Sequence, residues 1–413
     1  MRKKQGFKKR GILIPLLVIG MIMAGVFLHF GGFGTGESIN PEEFKKVARS
    51  IDDIEIPENV RIIALGEATH GNVEFQELKL DVFKQLVEEG VKAFAIEGDV
   101  GGCEKVNEYI QNGVGDLKEV VQYIGFQIYH TEQIAELISY MKEYNETVDE
   151  EQKLRFYGFD MQRYMLNVEY LKEECERLEI DTDGLEKLLK GDTWNEEFDV
   201  DDRYKVINKI KSETESKENS HRAIHLADIL LQHLAINTDN EDASFLRDRF
   251  MAENVKWILQ QEEQLGHHQI FISGHNTHVA KYASMETMGN LLFHEMADAY
   301  YVIGTDFYKA EVNLPSQSKT SRINKTFYSH DPLAKTAKLA GIDRCWLDFS
   351  MIPEKSELYD SISNYNYMGS VGEAYSFVMR LIPMSYRIFQ EPATLYDGMI
   401  LISECTPTEV RIN

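Results

Sequence analysis

The chain has 413 residues, 43% hydrophobic and 27% charged, enough for one large globular domain or two ordinary ones. Net charge is −24; the first ten residues, MRKKQGFKKR, hold six basic side chains and no acid, so the remainder stands at −30. Phosphate binding needs a basic surface, so the composition argues against a nucleic-acid partner.

Residues 11–28, GILIPLLVIGMIMAGVFL, run uncharged directly after the basic cluster. As a helix this stretch would extend about 27 Å, close to a bilayer's hydrocarbon thickness. The reading is a basic cytoplasmic segment over 1–10, a transmembrane signal anchor over 11–30, and a main domain facing the outside of the cell. A cleaved signal peptide is the rival, but its apolar core is usually shorter and no A-x-A-like cleavage site follows. The glycine-rich GGFGTGESIN over 31–40 reads as a linker. Residues 41–413 would form the main domain.

From residue 60 onward short apolar runs alternate with helical stretches. RIIALGEATH leads into a helix over 73–89, and VKAFAIEGD (91–99) precedes helices running to about 145. KLRFYGFDMQ, QIFISGHNTH, YYVIGTDFY, WLDFS and GMILISE continue the pattern. The alternation predicts an α/β fold with a largely parallel central sheet flanked by helices. Near-continuous apolar strands fit burial on both faces. Residues 164 to about 260 interrupt the alternation with charged helical sequence, read as a helical insertion over the sheet edge. Four scattered cysteines, Cys103, Cys175, Cys345 and Cys405, offer no C-x-x-C. Outside the cell they allow up to two disulfides, and four free thiols is the equal alternative.

Ligands of open α/β sheets bind beyond the carboxyl ends of the strands. Those ends offer Glu67, Thr69 and His70, then Glu97 and Asp99, Asp160 and Gln162, His275, Asn276 and His278, and finally Asp306. A lone Glu at a strand end is more often a cap, and a lone His more often structural. Two histidine-bearing turns converging with several carboxylates is the more informative observation. A His beside a carboxylate acts as a general base, and a second His supplies a hydrogen bond to a developing oxyanion. The same side chains also suit a divalent metal, with Glu67, His70, Glu97 and His278 as its ligands.

Competing motifs are missing. MGSVG (368–372) departs from G-x-S-x-G, and HEMAD (294–298) lacks the second His of a zincin helix. His221 and His225 stand four apart on a helix with no third ligand in view.

LGEATHGNVEF (65–75) resembles the opening signature of the erythromycin esterase family, G-E-x-T-H-G-x-x-E-F. AIEG (95–98), FYGFDMQ (156–162), RDRFMAENVKWI (247–258), GHNTHVAK (274–281) and the late GMILISECTP (398–407) extend the resemblance over residues 40–410. It implies hydrolysis of a carboxylic ester or macrolactone by His-activated water, without a serine nucleophile, and a role in macrolide inactivation. His70 matches the general base; Glu67, Glu97, His275 and His278 match the remaining catalytic positions. Glu74, Lys79, Asp160 and Asn276 are assigned to substrate binding. Tyr129 and His130 depart from the family's usual Trp, implying a differently shaped pocket. No cofactor is expected, with a divalent metal as the alternative; the partners are a small ester or lactone, water, and the membrane through residues 11–30. Two other readings stay open: a metal-dependent hydrolase or peptidase, and a non-catalytic envelope-associated binding protein.

Overall fold

The computed structural model describes residues 35–410 apart from 192, 239–242, 283–285, 317 and 319–320, together with residues 20, 21 and 25. The expected anchor therefore lies almost wholly outside the described residues. Among those described, no helix is long and apolar enough to cross a membrane.

The apolar runs form an eight-stranded sheet. Its strands are β1 (Ile62–Glu67), β2 (Ala93–Asp99), β3 (Arg155–Asp160), β4 (Ile270–His275), β5 (Tyr300–Pro315), β6 (Arg322–Tyr328), β7 (Arg344–Asp348) and β8 (Gly398–Cys405). The order is β3-β2-β4-β1-β5-β8-β7, with β6 added on β5. The five pairings among β1–β5 and β8 are parallel; β7 and β6 join antiparallel. The fold is thus mixed α/β with a largely parallel central sheet flanked by helices. Strand β6 and the extension of β5 to Pro315 were not visible in the pattern, because both are partly exposed and polar.

Side-chain alternation along the strands sorts two cores. Ile63, Leu65, Phe94, Ile96 and Phe271 face one layer; Ile62, Ala64, Ala95, Ile270 and Ile272 face the other. On the first face α1 (Val73–Glu88), α2 (Val100–Asn112) and α3 (Glu132–Asn145) cover the sheet. Phe83 of α1 packs on Phe94 and Phe271 with ring centroids 5.5 and 5.9 Å apart. Burying each such ring contributes about 1.5–3 kcal/mol.

The charged stretch after β3 divides in two. Helices α4 (Met165–Arg177), α5 (Val200–Glu215) and α6 (His221–Thr238) bury Leu171, Ile207, Leu226 and Leu230 in a third core of their own. Helix α7 (Ala243–Gln264), at the end of the same stretch, instead packs Met251, Val255 and Ile258 into the second face of the sheet. Its first turn therefore reaches the strand ends. All four cysteines are free and buried. His225 is buried against Trp257, ring centroids 3.7 Å apart, while His221 is exposed, so the two do not share a site.

Candidate active site

The carboxyl end of β1 is set by close approach. A Cβ on Gly66 would stand 2.1 Å from Asn276 Oδ1, and one on Gly71 would stand 2.2 Å from the Asn313 carbonyl. Only glycine lets the turn between them lie this close to β4 and β5. Asn72 pins the same turn by donating to the carbonyls of Glu311 and Thr406.

Held this way, Glu67 closes β1 directly opposite His275, the last residue of β4. His70 Nδ1 donates to Glu67 Oε1 at 2.7 Å. Lys79, one helical face along α1 and fully buried, donates to Glu67 Oε2 at 2.6 Å. Burial pushes the Glu67 carboxyl upward, but Lys79 and His70 outweigh it and hold it at about 2. For His70, burial opposes the charged form, while the Glu67 hydrogen bond and the charges of Glu67, Glu97 and Glu373 raise its pKa. Because Nδ1 is committed to Glu67, Nε2 is the nitrogen left to exchange a proton.

A second acid–imidazole group faces the first. Strand β2 breaks register against β3 between Ile96 and Asp99, and Glu97 lies in that irregularity. Its Oε1 accepts from Arg247 at 2.7 Å, and its Oε2 from the His275 backbone N–H at 3.0 Å. Arg247, on the first turn of α7, also pairs with Asp160. Its neighbour Asp248 accepts from His278 Nδ1 at 2.7 Å, leaving His278 Nε2 beside Arg247 (3.3 Å) and Glu97 (3.5 Å). Burial opposes the Glu97 charge, yet His278 and Arg247 hold its carboxyl well below the usual range. His278 is raised: burial opposes its charge, but Glu97 and Asp248 prevail.

His275 differs from both. Burial first, then the neighbouring His70 and His278, hold it neutral, with a pKa lowered to about 3. Its Nδ1 lies 2.8 Å from the Thr277 hydroxyl and 3.4 Å from the Thr277 backbone N–H; with both donating to it, the proton would sit on Nε2. Nε2 is buried without a hydrogen-bond partner among the described residues. The His275 ring lies 4.9 Å from the His70 ring. His70, Glu97, Arg247, His275 and His278 line one cavity of about 370 Å³, together with Ser370, Gly372 and Glu373.

The other expected residues stand around this centre. Lys79 neutralises Glu67 and Asp160 holds Arg247. Asn276 bonds the backbone N–H and carbonyl of Thr305, joining β4 to β5. Glu74 lies on the strand-end turn but accepts from the backbone N–H and hydroxyl of Thr406, at the end of β8. None of these four lines the cavity; Lys79 and Asp160 bear on it through Glu67 and Arg247. The metal set of Glu67, His70, Glu97 and His278 does not fit an ion. Each carboxylate already gives its oxygens to a buried cation and to a second donor. Among the described residues, no group of three or more His, Cys, Asp or Glu side chains is arranged to hold a metal.

Arg247 and Asp248 were given no role on sequence grounds. RDRFMAENVKWI was visible as a block, but an Arg–Asp pair opening a charged helix reads as solvated surface. Glu373 follows a glycine in a loop and carried no signal.

A largely parallel α/β sheet whose strand ends gather two carboxylate–imidazole groups around a cavity has the composition of an acid–base site. The sequence profile of the erythromycin esterase family matches residues 86–405, and the chain belongs to that family. It is 27% identical over 401 residues to the Bacillus subtilis (strain 168) protein named Putative hydrolase YbfO, covering 85% of each chain. Among solved structures, a Bacillus cereus protein superposes with a TM-score of 0.73 at 18% identity, covering 90% of this chain and 100% of that one. A mutant of the erythromycin esterase EreC in its open conformation superposes with a TM-score of 0.58 at 17% identity, covering 84% and 91%. Family membership and the YbfO likeness support a hydrolase.

Proposed function

We propose that the protein is a carboxylic ester or lactone hydrolase in which His70 activates water. The observation that carries this reading is the facing pair at the cavity: His70 with Nδ1 fixed on Glu67, and 4.9 Å away the neutral His275 with an unpartnered Nε2. Water bound at His70 Nε2 gives up its proton as its oxygen attacks the ester carbonyl. Glu67 stabilises the imidazolium, and Lys79 keeps Glu67 ionised at neutral pH. His275 Nε2–H donates to the oxygen that becomes negative, a neutral donor whose proton is not lost in the process. The His70 proton then passes to the leaving alkoxide as the tetrahedral intermediate collapses. No side chain becomes acylated in this sequence.

The cavity is small among ligand pockets, which run to roughly 300–1,000 Å³. That volume favours a compact acyl group with the remainder of the substrate outside the mouth. The test is turnover of an ester and lactone panel, macrolides included, by the full chain and by His70→Ala. Release of acid by the parent and its loss in a folded His70→Ala support the reading; undiminished hydrolysis by that variant overturns the mechanism. Incorporation of ¹⁸O from water into the acid product within a single turnover checks direct water attack.

A further inference from the structure

Seven of the fifteen exposed large hydrophobic side chains among the described residues fall within residues 365–389. Phe377, Val378, Leu381, Ile382, Met384 and Phe389 are each 43–53% exposed, on the short helix Phe377–Leu381, the turn after it and the strand Arg387–Gln390. An apolar concentration of this kind on an otherwise acidic domain marks an interaction surface. The path of the chain says what it meets. Gly36 packs on the backbone of His330, where a Cβ would stand 2.3 Å from the carbonyl oxygen, and Lys335 Nζ donates to the Gly36 carbonyl. The His330 ring meets Tyr367 edge-on at 5.5 Å, and Tyr367 lies 4.6 Å from Phe389. The main domain is therefore entered beside the apolar patch. Gly36 lies eight positions beyond the end of the uncharged run at residue 28, a reach of at most about 28 Å.

We propose that this face, residues 365–389, rests on the surface of the lipid bilayer that holds residues 11–28. Aromatic and aliphatic side chains enter the headgroup boundary, where rings such as Tyr365, Tyr367 and Phe389 are favoured. The chain beyond residue 10 stands at −30, so contact with anionic lipid is driven by apolar burial rather than by charge. The same segment supplies Ser370, Gly372 and Glu373 to the cavity wall, so seating it brings that wall to the membrane. The inference rests on the anchor reading of residues 11–28 and is independent of the ester hydrolysis proposed above.

The native cysteines are all buried, so a single surface cysteine can be labelled selectively. Nitroxide labels at Leu381→Cys, Phe389→Cys and, as a control, Leu265→Cys are compared in the full chain reconstituted into phosphatidylcholine vesicles. Leu265 is 57% exposed and lies outside the patch. The expected result is that oxygen relaxes the labels at 381 and 389 several-fold more than a water-soluble nickel chelate does, with the reverse at 265, unchanged by 0.5 M salt. Labels at 381 and 389 as open to nickel as the one at 265 overturn the proposal. Shielding from both agents with dipolar coupling between labels assigns the face to a second copy and also overturns it, as does failure of the chain to associate with vesicles.

Discussion

The two halves of the site use the same residue types and end with different capacities. At β1, Glu67 binds His70 and Lys79, and His70 keeps one ring nitrogen towards the cavity. At β2, Glu97 and Arg247 stand on one side of His278 and Asp248 on the other, so both its nitrogens have protein neighbours. A histidine with a spare nitrogen can move a proton; one held at both ends holds a wall in place. On the proposed mechanism, partners rather than residue type separate the base from the scaffold.

The largest expected effect breaks the comparison directly. His70→Ala should lower kcat by about 10²–10⁴-fold, the usual worth of a general base, without changing the thermal midpoint by more than a few degrees. His278→Gln should cost at most about tenfold in kcat; equal losses from the two histidines would erase the distinction.

Next is Lys79→Met. Breaking a buried pair by removing one partner costs about 3–5 kcal/mol, read in urea unfolding. In the surviving enzyme Glu67 stabilises the His70 imidazolium unopposed, so the acid limb of kcat/KM should move to higher pH. A limb that stays in place would mean Lys79 is only packing.

pH dependence sharpens the same contrast. On the proposed mechanism activity needs neutral His70, whose pKa is raised, so kcat/KM should climb with pH through a point above the usual His value. A raised histidine stabilises the fold fully below its unfolded pKa and loses that contribution as pH rises through the folded value. Glu67 has the opposite sign. Its stabilisation is present above the unfolded value of 4.5 and fades as pH falls towards about 2. Acid unfolding should steepen in that window in the parent and flatten in Glu67→Gln, followed by circular dichroism.

The smallest effect concerns Glu74→Gln. Its carboxylate ties α1 to the end of β8 away from the cavity, so the loss should be about 0.5–1.5 kcal/mol of stability with kcat/KM unchanged. A rise in KM would instead return Glu74 to substrate binding.

Much of this was legible beforehand. Buried parallel strands leave short apolar runs, and their polar endings put Glu67, His70, Glu97, His275 and His278 at one edge. Sequence order, however, does not show which carboxylate meets which cation. Glu67 and Lys79 are twelve residues apart on one strand–helix unit, so their pairing was within reach of a local reading. Arg247 meets Glu97 across 150 residues, and only the folded sheet and α7 bring them together. Chain pattern alone thus determined the layer architecture, the strand ends and the imidazole–carboxylate composition of the site, because burial and alternation are local properties. Tertiary structure alone decided the protonation of His275, the spare nitrogen of His70 and the enclosure of His278. Those depend on charges and hydrogen bonds delivered by elements distant in sequence, where burial makes each partner count for more than it would in water.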